Sequence, residues 1–596
     1  MDKNNTCTPE EVAIKSFFLG PQSENAVWAH ELILHVFREW YQWRKELYSD
    51  DGRAISEKDQ LSDIFTERKN RFRKHVDELM TRFQNEVPSF SPRYIGHMVT
   101  EISLPALVGH IITLLHNPNN ISGEASRVGI AIEDEAVSAL LEMIGCEDEE
   151  STGHFTSGGT LANFEGAVRA RSRMVKWLAA GAAARSLGHT GMNLVQSAHM
   201  GWEEFDRLRS LPGMSDELLI SLNYLKQNPF QVNRRYFEIF GEHFDGPVVL
   251  VASNKHYSWN KAVNLLGMGD EAFKPLRTDS RGKMDAADLE KQLNHYESIG
   301  RPVMMIISVG GTTELGNFDP IDKVNDQLSS RQKDKSLHYW HHVDAAYGGF
   351  FCCLSDEKKG LFPEPLKNAF KAIKMANSVT IDPHKLGYVP YASGAFLCRS
   401  RREYHYKTIH APYIEFNELT DRGPQTLEGS RTAAGAVSTW LTSRVIGFDR
   451  EGYGRILERS VAARVKLEKL LTHADSRIHV VLSNETNILC FCVAEKGETV
   501  SETNARSMKI YDTFSPRENH EFFVSKTALD REDYRDLLAD YTTQWDANWD
   551  TERLVLIRLV LINPFFDTKE TNVSYPEAFT QRLMELITKE ETEIVR

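Results

Sequence analysis

The spacing of apolar positions changes twice along the chain and divides it into three parts. Residues 1–110 place apolar side chains three and four positions apart, which predicts a helical arm. Residues 111–430 alternate short apolar runs with longer helical or irregular segments. Residues 431–596 begin with a long helical pattern and continue with apolar runs typical of an antiparallel sheet. We therefore expect an N-terminal helical arm, a large α/β domain and a small C-terminal α+β domain.

Five apolar runs in the middle part have the composition and length of buried strands. Because helical segments separate most of them, they predict an α/β fold with a mostly parallel sheet covered by helices on both faces. Such a sheet binds ligands in the crevice at the carboxyl ends of its strands. The predicted strands are 246–253, 302–310, 337–344, 378–382 and 394–399.

Composition narrows the class of protein. The chain has 596 residues, 41% of them hydrophobic and 26% charged, which is typical of a globular protein with more than one core. The formal net charge of −14 argues against a nucleic acid or an anionic membrane as partner. Seven cysteines form no repeating framework, and the sequence shows neither a signal pattern nor a transmembrane run. We expect a soluble cytoplasmic protein.

Two histidine-rich segments do not have the spacing of a metal site. The histidines of 30–35 are five positions apart, whereas a helical zinc pair needs two on one face, one turn apart. Segment 338–342 places two histidines on one side of a predicted strand, with no Cys or Asp cluster near them in the sequence. We therefore expect no metal site.

Lys385 stands where a predicted buried strand ends. The strand 378–382 is followed by Pro383, which cannot continue it. A desolvated ammonium is unfavourable unless it is paired or its pKa falls. Lys385 therefore either extends its amine to solvent at the sheet edge or is held in a covalent bond.

Three further features occur at strand ends or turns of the same part of the chain. The loop 156–160, TSGGT, precedes a helix and suits a phosphate, although alone it indicates only a helix cap. His256 can stack on a flat ligand or be a satisfied core histidine. Asp344 can point into the ligand crevice or cap a turn. Together with Lys385 these features match pyridoxal 5'-phosphate (PLP), with Lys385 forming the Schiff base and Asp344 keeping the pyridine nitrogen protonated.

The motifs TSGGTLAN, KHYSW, HVDAAYGG and DPHK occur in the order found in a known family. From about Phe18 into the C-terminal region the chain resembles the fold-type I, group II PLP-dependent amino acid decarboxylases. Within that family it looks most like the bacterial tyrosine decarboxylases. The segments that carry this closer likeness are 18–25, 94–98, 378–391 and 427–440.

The resemblance implies roles for individual residues. It implies a catalytic set of Lys385, His256, Tyr391 and Asp344, in which Tyr391 reprotonates the substrate carbon. His97 is implied to line the substrate pocket together with Tyr391. The residues implied to hold PLP are Gly159, Thr160, His256, Thr313, Asp344, Ala346, His384, Lys385 and, from the neighbouring subunit, Ser430. The active unit implied is a homodimer formed through the arm.

The implied reaction is decarboxylation of an L-amino acid to its amine and CO2, through an external aldimine and a quinonoid. An aromatic substrate, tyrosine or DOPA-like, is favoured, and segment 404–425 is the predicted lid. Leu559 and Asn563 stand where tyrosine decarboxylases have small or hydroxylated pocket residues, and the stretch between AAYGG and DPHK is shorter than in those enzymes. A decarboxylase of a non-aromatic amino acid, an aldehyde-lyase resembling sphingosine-phosphate lyase, and a non-catalytic relative stay open as alternatives.

Overall fold

A seven-stranded sheet and a four-stranded sheet organise the protein. The computed structural model describes residues 8–405, 421–482, 485–514 and 521–594. No helix in these ranges is both long enough and apolar enough to cross a membrane. The strands are β1 (Thr152–Thr156), β2 (Val248–Ala252), β3 (Phe273–Leu276), β4 (Val303–Val309), β5 (His341–Asp344), β6 (Ser378–Ile381), β7 (Gly394–Cys398), β8 (Ile478–Val480), β9 (Ile488–Val493), β10 (Ser525–Asp530) and β11 (Arg553–Val560).

Helices precede, separate and follow these strands. They are α1 (Pro9–Ser16), α2 (Ala26–Leu47), α3 (Glu57–Leu61), α4 (Asp63–Phe83), α5 (Leu104–His116), α6 (Arg127–Met143), α7 (Gly159–Ser186), α8 (Leu194–Ala198), α9 (Gly201–Arg209), α10 (Asp216–Ser221), α11 (Pro229–Phe240), α12 (Ser258–Leu265), α13 (Ala286–Ser298), α14 (Ile321–Lys335), α15 (Glu364–Ala372), α16 (Arg401–Tyr404), α17 (Ala434–Val445), α18 (Arg455–Ala474), α19 (Val500–Thr513), α20 (Arg535–Tyr541) and α21 (Tyr575–Ile594).

The seven-stranded sheet is mostly parallel, as the alternating pattern predicts. Its strand order is β1-β7-β6-β5-β4-β2-β3. Five of its strands, β6 to β3 in that order, pair in parallel, and β7 is antiparallel to both β6 and β1. Strands β2, β4, β5 and β6 are buried along their whole length, because helices cover both faces of the sheet. The carboxyl ends of β4, β5 and β6 therefore meet at one edge.

Two strands lack the signal used for prediction, and one predicted strand is shorter than expected. β1 has the sequence TGHFT, which is not a run of apolar residues. β3 contains a proline and lies at the sheet edge, where a missing N–H is tolerated. The predicted strand 337–344 pairs only over His341–Asp344, because the backbone N–H of His338 bonds to the carbonyl of His199 instead of to a strand.

The four-stranded sheet is antiparallel, in the order β10-β11-β9-β8, and α18 and α21 pack beside it. A segment of the N-terminal part is bonded to this sheet. The N–H of Ile95 donates to the carbonyl of Phe523, and the N–H of Val560 donates to the carbonyl of Ile95. These backbone hydrogen bonds join the N-terminal part of the chain to the C-terminal sheet.

Candidate active site

A cavity of about 440 Å³ lies where β4, β5 and β6 end. The loop before α7 and the residues that follow these three strands form its wall. The structure brings nine of the eleven predicted site residues together on this wall. They are Gly159, Thr160, His256, Thr313, Asp344, Ala346, His384, Lys385 and Tyr391.

Lys385 is paired with a carboxylate at the end of its own strand. Its Nζ lies 3.0 Å from Oδ2 of Asp382, and its side chain is 21% exposed. Burial works to lower the pKa of Lys385, but the Asp382 carboxylate outweighs it, so the net pKa lies above the ordinary value. The ammonium of Lys385 is therefore stabilised by Asp382 rather than by solvent.

Asp344 is held by two N–H donors from different helices. Its Oδ2 accepts from Nδ2 of Asn163 at 2.8 Å and from the indole nitrogen of Trp259 at 3.0 Å. The side chain is buried at the end of β5. Its position is thus fixed before any ligand enters, as a partner for a ring nitrogen must be.

His256 is half-buried on the cavity wall and has a defined proton position. Its Nδ1 lies 2.9 Å from the hydroxyl of Ser258 and 3.3 Å from the backbone nitrogen of the same residue. Because a backbone N–H can only donate, Nδ1 is the acceptor, and a neutral ring carries its proton on Nε2. Burial lowers the pKa of His256, which favours that neutral ring.

The loop before α7 leaves no room for side chains. A Cβ at Gly159 would lie 2.8 Å from Oδ2 of Asp382 and 3.0 Å from Cβ of Ala346. α7 begins at this glycine, and the N–H groups of Gly159 and Thr160 at its start can hold an anion, whereas those of Leu161 and Ala162 donate to the carbonyl of Gly158. His384 lies beside the loop, and its ring packs against the ring of Tyr391 with the centroids 4.2 Å apart and the planes tilted by 34°.

The residues present fit PLP. Lys385 supplies an amine, Asp344 a fixed carboxylate, and the glycine loop a phosphate cradle. Asp382 is only 2% exposed, and its Oδ1 accepts no hydrogen bond from any described residue, so the site contains a buried acceptor without a donor. A bound cofactor that carries a hydrogen-bond donor would satisfy this acceptor.

Two of the predicted residues do not lie on this wall. Ser430 is exposed, and its hydroxyl accepts a hydrogen bond from Nδ2 of Asn119 at 3.1 Å. His97 is also exposed. Leu559 and Asn563, expected near the substrate pocket, do not line the cavity either, because Leu559 packs in the core of the four-stranded sheet and Asn563 bonds to nearby backbone.

Most of the predicted lid, 406–420 of 404–425, lies outside the described residues. Its first residue is fixed rather than exposed. Tyr404 is fully buried, and its hydroxyl lies 2.9 Å from Nδ1 of His154. The described start of the segment is therefore part of the core.

Sequence reasoning missed Asn163, Asn254 and Asp382, which also line the cavity. Asn163 lies four positions after Gly159 on α7, so helical spacing places both on one face. Asp382 precedes Lys385 by three positions in the same motif. Nothing local marks Asn254. Among the described residues no group of three or more His, Cys, Asp or Glu side chains is placed to hold a metal ion.

Comparison with known proteins identifies relatives along the whole chain. The family model of the pyridoxal-dependent decarboxylase conserved domain matches residues 236–494. The chain is 26% identical to L-tyrosine decarboxylase of Enterococcus faecalis, over 95% of this chain and 96% of that protein. It is 25% identical to aspartate 1-decarboxylase of Aliivibrio fischeri, over 83% of this chain and 80% of that protein.

Solved structures share the fold. The crystal structure of Oryza sativa TDC with PLP and tryptamine superposes with a TM-score of 0.61 at 16% identity, covering 96% of this chain and 99% of that one. The crystal structure of mouse CSAD in apo form gives 0.60 at 18% identity, covering 91% of each chain.

The parallel sheet, the phosphate loop and the lysine at a strand end define a fold-type I PLP-dependent enzyme, and PLP is its cofactor. The chain contains the pyridoxal-dependent decarboxylase conserved domain, is a PLP-dependent amino acid decarboxylase, and is similar to bacterial tyrosine decarboxylase along almost its whole length.

The pairing of Lys385 with Asp382 generates a first prediction. In cofactor-free protein, Asp382→Asn removes the strongest charge that opposes the effect of burial, while Asp344 still acts against it, so the pKa of Lys385 should fall. More free amine is then present at neutral pH, and capture of PLP should be several-fold faster there. The measurement is the rate at which the visible band of bound PLP appears across a pH series. Lys385→Ala, which cannot capture PLP covalently, is the control, and an unchanged pH profile for Asp382→Asn would contradict the assigned pairing.

Proposed function

We propose that this decarboxylase acts on an L-amino acid with an aromatic side chain, tyrosine or DOPA-like, and releases the amine and CO2. The main support for the proposal is that the similarity to tyrosine decarboxylases extends over almost the whole chain. Three L-tyrosine decarboxylases match over 94–96% of the chain. The walls of the cavity support it, since four aromatic side chains suit a flat ring. They are Phe164, Tyr257, Tyr347 and Tyr391.

A non-aromatic substrate is the second candidate. Besides aspartate 1-decarboxylase, L-2,4-diaminobutyrate decarboxylase of Acinetobacter baumannii is 22% identical over 73% of the chain. A probable L-tyrosine/L-aspartate decarboxylase of Methanothermobacter thermautotrophicus is 31% identical over 41% of the chain. Both candidates use the same cofactor end of the cavity and differ at the substrate end.

The proposed residue roles at the cofactor follow the geometry of the cavity. Lys385 would hold PLP through its amine, and Asp344 would hold the pyridine nitrogen. When bound, PLP supplies an electron sink for the bond that breaks at the substrate's Cα. The remaining proposed contacts are the phosphate with Gly159, Thr160 and His384, the two ring faces with His256 and Ala346, and the ring hydroxyl with Thr313.

Tyr391 is the proposed proton donor to the substrate's Cα. It lies on the cavity wall with its ring against His384. Partial burial raises the pKa of Tyr391, which keeps its hydroxyl protonated and able to donate. The side chain is 61% exposed in the single chain, so a further element must cover it to exclude water.

We propose that this cover comes from a second copy, with the arm of residues 1–110 forming the homodimer. α2 and α4 of the arm expose many large apolar side chains, and such surfaces mark interaction sites. Ser430 and His97 are exposed and do not line the cavity of their own chain, and in the proposed homodimer they would contribute to the cavity of the neighbouring chain. The exposed apolar side chains of the two helices are Val27, Trp28, Leu34, Tyr41, Trp43, Leu47, Ile64, Phe72, Val76, Leu79, Met80 and Phe83.

The substrate proposal is tested by incubating the PLP-loaded protein with the standard amino acids and DOPA. We expect CO2 and amine from tyrosine or DOPA, because the aromatic walls favour a flat side chain. The measurement is the quantity of CO2 and amine released from each amino acid, with Lys385→Ala as the inactive control. Release from aspartate or diaminobutyrate alone would select the second candidate. An aldehyde without CO2 would instead indicate lyase chemistry.

Replacement of the proposed proton donor should separate binding from the later step. Tyr391→Phe keeps the ring against His384 but lacks the hydroxyl, so substrate should bind normally while amine formation slows by about 100-fold or more. CO2 and amine are measured in the same reaction, because a missing proton donor lowers amine yield relative to CO2. Equal yields at the rate of the unaltered enzyme would remove Tyr391 from this role.

The proposed contact of Ser430 across the dimer is tested by subunit mixing. Ser430→Asp places a negative charge where a phosphate is expected, and Lys385→Ala removes the covalent anchor, so each variant alone should be inactive. A mixed dimer has one cavity with Lys385 from one chain and Ser430 from the other, and mixing should restore part of the activity. Activity that stays absent in verified mixed dimers would show that Ser430 does not act across the interface.

A further inference from the structure

Asn163 connects the two sides of the cofactor site through one amide group. It is 1% exposed and lies on α7. Its Nδ2 donates to Oδ2 of Asp344 at 2.8 Å and to the hydroxyl of Ser258 at 3.0 Å. The same hydroxyl lies 2.9 Å from Nδ1 of His256. Asn163 therefore bonds directly to the carboxylate at the end of β5 and, through the hydroxyl of Ser258, to the histidine on the cavity wall.

The oxygen of the Asn163 amide is also hydrogen-bonded, through a chain of side chains on β5, on β6 and just before β5. The indole N–H of Trp340 can only donate, and its acceptor is the hydroxyl of Ser378 at 3.0 Å. That hydroxyl lies 2.7 Å from Nδ1 of His342 and has its own hydrogen to donate to it, an arrangement that places the ring proton of His342 on Nε2. This Nε2 lies 3.3 Å from Oδ1 of Asn163 and 3.3 Å from the hydroxyl of Thr380.

His342 is neutral in this arrangement, because complete burial lowers its pKa to about 3. A neutral His342 ring with its proton on Nε2 donates a hydrogen bond to the oxygen of the Asn163 amide. The amide cannot turn over without losing that bond and facing its oxygen toward a carboxylate. Both of its N–H groups must therefore point to Asp344 and Ser258.

We propose that Asn163 is a positioning residue. Its amide N–H groups orient the carboxylate of Asp344 directly and the ring of His256 through the hydroxyl of Ser258. The inference rests on the proposed contact of Asp344 with the pyridine nitrogen. Ser258 accepts from Asn163 and so donates its own hydrogen to Nδ1 of His256. The Asn163 amide thus determines both the orientation of the Asp344 carboxylate and the tautomer of His256.

Two replacements of similar volume distinguish positioning from simple packing. Asn163→Leu removes both donors without adding charge, so Oδ2 of Asp344 keeps only the indole N–H of Trp259 and the hydroxyl of Ser258 loses the donor that orients it. Asn163→Asp places a second carboxylate against Asp344, where the two must share a proton. At low pH the new carboxyl is protonated and can again donate to Asp344. A recovery on acidification is therefore expected of Asn163→Asp alone.

The experiment measures the affinity for PLP and the pH dependence of its visible band in the full chain, without substrate. Asn163→Leu should bind PLP about ten-fold or more weakly at every pH. Asn163→Asp should be equally weak at neutral pH and should regain affinity as pH falls, relative to the unaltered protein. Ser258→Ala breaks only the branch to His256, so it should keep most of its PLP affinity but shift the pH dependence of the band.

The proposal is overturned if Asn163→Asp shows no recovery at low pH, which decides the matter even if Asn163→Leu does not fold. It is also overturned if Ser258→Ala weakens PLP binding as much as Asn163→Leu. Asp344→Asn is the reference variant. If that variant binds PLP as the unaltered protein does, the contact of Asp344 with the ring fails and the inference fails with it. The proposed amino acid substrate is not used, so an error in that assignment leaves these results unchanged.

Discussion

The register of β5 against β6 sets the relation between the charged groups on which the site depends. Asp344, the last residue of β5, pairs with Thr380 of β6. Asp382 follows two positions later, and its carboxylate bonds to Lys385. Because side chains alternate along a strand, a shift of one residue would turn these groups to the other face of the sheet. The parallel pairing of two short buried strands therefore positions both the amine and the carboxylate.

Buried ion pairs stabilise the backbone on both sides of the loop 156–160. Glu133 pairs with Arg431 and also accepts the N–H of Phe155 at 2.7 Å, one residue before the loop begins. Glu165 of α7 pairs with Arg169 and accepts the N–H of Leu427 at 2.7 Å. Removing one partner of such a buried pair costs about 3–5 kcal/mol. These pairs join the strand that leads into the loop to the segment 427–431, which includes Ser430.

Much of the fold and the centre of the site could be predicted because their signals are local. β2, β4 and β7 are mostly apolar and β6 is rich in β-branched residues, while Asp344 ends β5 and Lys385 follows β6. β1 could not be predicted, since its central histidine is buried through a pairing with Glu165 that the strand itself does not reveal. The role of Asn163 is equally hidden, because its partner Asp344 is 181 positions away in the sequence.

The cofactor end and the substrate end of the cavity are built in different ways. The cofactor end is formed by strand ends and a helix start of one chain, whose positions are fixed by backbone hydrogen bonds. At the proposed substrate end, Tyr391 and His97 are exposed among the described residues of one chain, and His97 is not on the cavity wall. In the proposed homodimer, residues in such positions gain contacts from the neighbouring chain. The described residues of one chain therefore support the assignment of the reaction more strongly than the choice of amino acid, which we propose from similarity and from the aromatic walls of the cavity.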